Sequence, residues 1–308
     1  MKKTNRAFSL IELSIVVLII GIIIAGVTGA SSLVRKMRVS TAQSLTKSSD
    51  VNSISGLKMW LETTSENAMT NAGGSSSLNN GDEIAKWIDS NPQSTNKIDV
   101  SSISTNRPTY SLDGLGGIPA ISFNGSQFLF NSSSVPLAAN SREYTIVAVW
   151  RKNSAATNTM YVFSQGSVSN NAMAALTYHY FNNSYGFTGI NNDNYIASPV
   201  AARCNSGCIT VLRVNANVSS PSASTPAVSI YVNSDTMSNT TYSTSNSPSN
   251  LALTTNEVVV GARAVDRSAT EMTNGSISEV IIFDRALLND EVRSVNSYLS
   301  KKYSIKLL

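Results

Sequence analysis

One histidine, two cysteines and a charged fraction of only 14% leave this 308-residue chain little equipment for several chemistries. A structural zinc site wants about four nitrogen or sulfur ligands, and His179, Cys204 and Cys208 supply three at most. Serine or cysteine nucleophiles lack a ready base, because the lone imidazole, in "LTYHYFNN", reads as a strand or loop histidine. No glycine-rich loop follows a strand and opens a helix, which excludes a phosphate cradle of the usual kind. The formal charge of +4 is misleading, since from Asp50 onward acids outnumber bases by two. A nucleic-acid interface needs a basic face, and no nucleic-acid partner is expected.

What the sequence does have is one long uncharged run. From Leu13 to Val34 no side chain is ionisable, and at 1.5 Å per residue such a helix is about 33 Å long, enough for a bilayer core. Glu12 stands at its lip. A carboxylate at that depth costs about 2.5–3.5 kcal/mol unless paired, and no base lies within one helical turn inside the run. The preceding "MKKTNR" carries Lys2, Lys3 and Arg6 as a translocation leader would, and a cut after Ala7 frees an α-amino group on Phe8 as partner for Glu12. An ordinary signal anchor, or a secretory signal cut after Ala30 in "VTGA", accounts for the hydrophobicity but not for Glu12. Gly21, Ala25 and Gly29 form a small-residue stripe that lets another helix approach. Arg35, Lys36 and Arg38 balance the leader cations across the run, so charge alone does not orient it.

Basic leader, small residue, Phe8 and then Ser9-Leu10-Ile11-Glu12-Leu13 resemble the N-terminus shared by type IV prepilins and the pseudopilins of type II secretion. The resemblance covers about the first thirty residues, with Ala7 where the family usually has Gly and without the mid-helix proline of many major pilins. It implies that a prepilin peptidase cuts between Ala7 and Phe8 and methylates Phe8. It also implies that Glu12 neutralises the Phe8 ammonium of a neighbouring pilin or pseudopilin subunit during assembly on the inner-membrane platform. The precursor is then a single-pass inner-membrane protein with its N-terminus in the cytoplasm, and the product a cell-surface filament subunit.

Beyond the run, helix-compatible sequence continues as a stalk toward Gly56, after which short apolar runs alternate with Gly, Asn, Ser and Pro. Strands are predicted in "GIPAISFNG", "QFLF", "YTIVAVWR", "MYVFSQG", "CITVLRV", "AVSIYVN", "EVVVGAR" and "GSISEVIIFD". In "LLNDEVRSVNSYLSKKYSI" a last helix is predicted with Asn289 as N-cap, Lys301 and Lys302 suiting the macrodipole, and Val292, Val295, Leu299 and Tyr303 on one buried face. Cys204 and Cys208 in "RCNSGC" are expected to form a local disulfide that pins a turn.

The blocks "GLKMWLE", "KWIDSNP", "RPTY", "GIPAISFNGSQFL" and "NGSISEVIIFDRALLNDEVRSVNSYLSKKY" resemble concanavalin A-like, laminin G-type jelly-roll domains over Leu57 to Leu308. That resemblance implies a lectin-like head with a glycan or surface-protein ligand. Some relatives use calcium, for which Asp89, Asp113, Asn124 and Asp266 offer oxygen donors, although no spacing forms a dedicated calcium loop. No other cofactor is expected. Trp60, Trp87 and Trp150 lie in apolar blocks and read as core. A retaining glycosidase needs two carboxylates about 5–5.5 Å apart, and Glu279 and Asp284 of "SEVIIFD" point to opposite faces, so the chain is read as a non-enzyme.

The sequence reading is therefore mainly β: leader 1–7, a long transmembrane and stalk helix over 8–55, and a concanavalin A-like β-sandwich with a C-terminal helix over 56–308. The expected function is a minor pilin or pseudopilin-like subunit displaying an adhesive head. The alternative is a membrane-anchored or secreted lectin-like protein outside any filament.

Overall fold

The structure is a computed structural model that describes residues 10–179, 184–187, 189, 194–196, 204–218, 222, 226–238, 251–267 and 270–308, without the side chains of residues 12, 25–29, 187 and 194–196. Helix α1 spans Leu10–Lys47 and is about 57 Å long at helical rise. It ends short of Ser55, because Ser49 accepts a hydrogen bond from the Val51 amide and starts a single 3-10 turn, Asp50–Asn52. Asn52 Nδ2 then donates to the Thr46 and Lys47 carbonyls, which the helix leaves open at its end.

The sequence reading has α1 crossing a membrane; among the described residues no helix is long and apolar enough to do so. Leu13 to Ile24 are aliphatic apart from Ser14 and Gly21. The next eight residues, "AGVTGASS", are small and partly polar.

Sixteen strands succeed α1 among the described residues: β1 (Leu57–Glu62), β2 (Met69–Asn71), β3 (Ile84–Trp87), β4 (Val100–Ser101), β5 (Thr109–Ser111), β6 (Ala120–Asn124), β7 (Leu129–Asn131), β8 (Glu143–Lys152), β9 (Met160–Gly166), β10 (Met173–His179), β11 (Ser184–Phe187), β12 (Asn194–Ile196), β13 (Cys208–Asn215), β14 (Val228–Val232), β15 (Val258–Val260) and β16 (Asn274–Phe283). They form two sheets. One runs β14-β13-β8-β16-β6-β5, with β1 pairing the far half of β16, and the other runs β12-β11-β10-β9-β15-β7-β4-β3-β2. Every pairing between these strands is antiparallel.

Alternation sorts side chains between the two faces of the first sheet. Tyr144, Ile146, Ala148 and Trp150 of β8 meet the second sheet in the interlayer core. Val147 and Val149 point the other way, into a second apolar cluster built with helix α2 (Asn289–Tyr303). The predicted face of α2 is buried there through Val292, Val295, Leu299 and Tyr303. Asn289 is not its cap: Leu288 takes that position, its amide donating to Glu291 Oε2 at 2.7 Å, while the Asn289 side chain accepts from Arg213. Ala42, near the end of α1, joins the same outer cluster, so stalk helix, C-terminal helix and first sheet share one interface.

Candidate functional site

Two features of α1 bear on function. From Leu10 to Ile24 its large aliphatic side chains are 49–84% exposed, a continuous apolar surface that demands a partner other than water. Ala7 and Phe8 lie outside the described residues, as does the side chain of Glu12. The other end of α1 meets the sandwich, and between Arg35, Lys36, Gln43 and the head residues Met69, Leu78 and Tyr110 lies a cleft of about 390 Å³.

Beneath that junction sits a buried polar cluster. Glu62 ends β1 and Glu279 lies directly opposite on β16, a pairing that like charges destabilise. Lys302 of α2 resolves it, its Nζ donating to Glu62 Oε2 at 3.0 Å and to Glu279 Oε2 at 2.9 Å. These side chains are 0%, 1% and 0% exposed for Glu62, Glu279 and Lys302. Glu279 also accepts from Trp60 Nε1 at 2.7 Å and from the hydroxyls of Tyr298 and Tyr303 at 2.8 Å each. Glu62 accepts from the Thr64 amide and hydroxyl and from the Ser65 amide. The remaining Lys302 contacts are Thr46 Oγ1 at 2.8 Å and Tyr298 OH at 3.0 Å.

Burial alone pushes the Glu62 carboxyl up, but the Lys302 ammonium and the Ser65 and Thr64 hydrogen bonds more than reverse it and hold it at about 2. For Lys302 burial pulls downward, and Glu279, Tyr303 and Glu62 overcome it, leaving the ammonium well above the usual lysine range. Burial, reinforced by Glu279, pushes both tyrosine hydroxyls well up, so they remain protonated donors. Sequence reasoning assigns Lys302 to the helix dipole. Its position seven residues after Val295 and four after Tyr298 places it on the buried stripe instead, and that spacing is the available signal.

The calcium candidates do not meet. Asp89 is buried and filled by backbone donors: Trp60 and Asn91 amides on Oδ1 and the Ile98 amide on Oδ2. Asn124 holds a turn by accepting from Ser126, Asp266 pairs with Arg263, and Asp113 is exposed. Among the described residues no three His, Cys, Asp or Glu side chains gather where a metal ion could be held. Trp60, Trp87 and Trp150 are buried, with indole N–H groups donating to Glu279, the Glu62 carbonyl and Thr210. Cys204 and Cys208 form the expected disulfide, at the entry to β13. His179 ends β10, its Nε2 3.0 Å from Thr177 Oγ1.

Comparison with known proteins adds three findings. Residues 2–28 match the family described as prokaryotic N-terminal methylation motif. No curated protein matches the chain. Among solved structures, a GH54 α-L-arabinofuranosidase soaked with a cyclic sulfate inhibitor is similar at a TM-score of 0.50 and 10% identity, covering 80% of this chain and 63% of that one. A Trypanosoma rangeli sialidase in complex with sialic acid is similar at 0.45 and 14% identity, covering 80% and 33%. A SAP-like pentraxin from Limulus polyphemus reaches 0.43 and 18%, covering 57% and 81%. This chain thus spans a third of the sialidase's length, and at these identities the likeness is one of β-sandwich fold.

The likeness to the arabinofuranosidase corrects the non-enzyme expectation: a hydrolase shares the fold, so membership of this fold gives no ground for setting hydrolysis aside. Nor is a single strand the only source of paired acids, since Glu62 and Glu279 converge from neighbouring strands. That pair is itself sealed from solvent and engaged by Lys302.

Proposed function

We propose that this chain is a minor subunit of a type IV pilus or type II secretion pseudopilus, in which residues 8–55 carry the filament helix and stalk and residues 56–308 a binding head. The observation that carries this reading is the methylation-motif match at residues 2–28, continued by a helix whose aliphatic side chains are left exposed from Leu10 to Ile24. Prepilin peptidase removes residues 1–7 at the Ala7–Phe8 bond and methylates Phe8. The subunit waits in the inner membrane with its N-terminus in the cytoplasm and then enters a filament outside the cell. Glu12 neutralises a neighbour's Phe8 ammonium, which sets the axial register, because a charge buried among aliphatics tolerates only the offset that brings a counter-ion to it.

The head serves adhesion. The ligand class proposed, on the resemblance of residues 57–308 to lectin-like domains, is a glycan or a surface protein. A head of about 250 residues is bulky beside an 8–10 Å interhelical spacing, which favours a tip or low-abundance position over every site along a shaft.

Mass spectrometry of the mature chain tests the reading. An N-methylated Phe8 terminus supports it. A terminus at Ser31, or an intact Met1, overturns it in favour of a secreted or membrane-anchored lectin-like protein outside any filament.

A further inference from the structure

The stalk helix makes polar contacts with the head at Gln43 and Thr46, and these converge. Gln43 Nε2 donates to the Thr64 carbonyl at 2.7 Å, and Thr64 in turn donates to Glu62 through its amide and hydroxyl. One turn further along α1, Thr46 Oγ1 lies 2.8 Å from Lys302 Nζ and 3.1 Å from Tyr298 OH. Both attachments of α1 therefore close on the same cluster, one through Glu62 and the other through Lys302. Thr46 is itself buried, its hydroxyl also donating to the Ala42 carbonyl of its own helix at 3.0 Å.

The cluster is assembled from opposite ends of the chain. Thr46 and Lys302 are separated by 256 residues, and Glu62 and Lys302 by 240. Without the ammonium, Glu62 and Glu279 face each other across β1 and β16 as unscreened buried carboxylates. β1 is the strand that α1 leads into, through the Asp50–Asn52 turn and Gly56. Loss of Lys302 thus acts on the root of the stalk twice, by removing the Thr46 contact and by forcing apart the adjoining strand.

We propose that Lys302 is the positioning residue that fixes the direction of α1 on the head, and that this lock closes only when the C-terminal helix has docked. A subunit whose last twenty residues are missing or misfolded then carries a loose filament helix. A correctly set helix reports a finished head. Only this consequence for assembly rests on the filament reading; the lock itself is a property of the single chain.

The test is hydrogen–deuterium exchange on the full-length chain in detergent, read over residues 38–47, with thermal melting of the head alongside. Thr46→Val removes the stalk side of the lock alone: exchange over 38–47 is expected to rise about tenfold, with the melt of the head unchanged. Lys302→Met is expected to raise exchange and lower the melt together. Adding Glu62→Gln and Glu279→Gln to Lys302→Met relieves the buried repulsion, so the melt recovers while exchange over 38–47 stays high. Wild-type exchange over 38–47 in both Thr46→Val and the triple variant overturns the proposal. If exchange behaves as expected in a chain whose mature terminus is not Phe8, the filament reading falls and the lock stands.

Discussion

Glu62 and Glu279 are cross-strand partners on β1 and β16, and one ammonium, that of Lys302, bonds to both at 3.0 and 2.9 Å. Such a cluster, three ionisable side chains out of contact with water, contributes little net stability when complete and costs about 3–5 kcal/mol when one partner is removed. Its worth to the molecule lies in what it specifies: only one placement of α2 delivers Lys302 to both carboxylates, and that placement also presents Lys302 to Thr46.

The cluster predicts an acid limb in the stability of the head. Glu62 titrates at about 2 in the folded chain against an ordinary value of 4.5. A lowered carboxyl contributes stability that is complete above the ordinary value and is lost as pH falls from there through the folded value. The shift corresponds to about 3 kcal/mol. Lys302, raised well above its usual range, contributes fully below that range and loses its share only as pH climbs beyond it. Thermal melts should be level around neutrality and fall below pH 4.5, and Glu62→Gln should flatten that fall. An acid limb identical in wild type and Glu62→Gln would assign it to other groups.

Gly56 is a second sensitive point. It adopts a φ of +84°, and a Cβ there would lie 2.6 Å from Asp284 Oδ1, the carboxylate that pairs with Lys58. Gly56→Ala therefore combines left-handed backbone strain with displacement of a carboxylate, and a loss of about 1–3 kcal/mol is expected in urea unfolding. An unchanged midpoint would mean that the turn between stalk and β1 relaxes freely.

The disulfide makes a smaller claim. Cys204 and Cys208 are four residues apart, and so short a loop removes little entropy from the unfolded chain, about 2 kcal/mol at most. The Cys204→Ser, Cys208→Ser double variant should melt only slightly lower than wild type, and reductant should shift wild type by the same amount. A larger loss would show that the bridge organises the entry to β13 rather than pinning a turn.

The long strands are legible in the sequence because alternation, or an unbroken apolar run, exposes them: "YTIVAVWR" matches β8 and "GSISEVIIFD" matches β16 within a residue or two. The short strands β2, β4 and β5 are not, since two or three residues carry no period. The buried face of α2 is readable from Val292, Val295, Leu299 and Tyr303, yet Lys302 on the same stripe reads as a solvated end. A lysine enters a core only when acids from elsewhere meet it, and one of the two, Glu62, lies 240 residues away. Pattern along the chain does not encode such a meeting. The N-terminal motif is legible as a motif, whereas the length of the helix is overread, because the turn at Ser49 depends on a side-chain hydrogen bond.

On the proposed filament reading, Glu12→Ala at the other end of α1 separates processing from assembly. The peptidase reads the leader and the cut site, so removal of residues 1–7 should proceed nearly as in wild type. Incorporation into filaments should fall sharply, because the neighbouring Phe8 ammonium would lose its counter-ion in an apolar core. Sheared filaments and membrane fractions compared by immunoblot give both readouts. Undiminished incorporation would remove Glu12 from the assembly scheme.

Asp89 distinguishes a structural carboxylate from a calcium ligand. Its two oxygens accept from three amides, those of Trp60, Asn91 and Ile98, at 2.9–3.0 Å, and the side chain is buried. Asp89→Ala strands those donors away from water, at about 1–3 kcal/mol for each one left unsatisfied, so a large drop in melting temperature is expected even in excess chelator. A calcium ligand behaves differently: chelator alone would lower the wild-type melt, and the variant would lose its sensitivity to added calcium. Because the Trp60 amide belongs to β1 of one sheet and the Ile98 amide lies just before β4 of the other, the loss should also raise exchange at both. A destabilisation confined to one of them would mean that Asp89 shapes a local turn and does not join the layers.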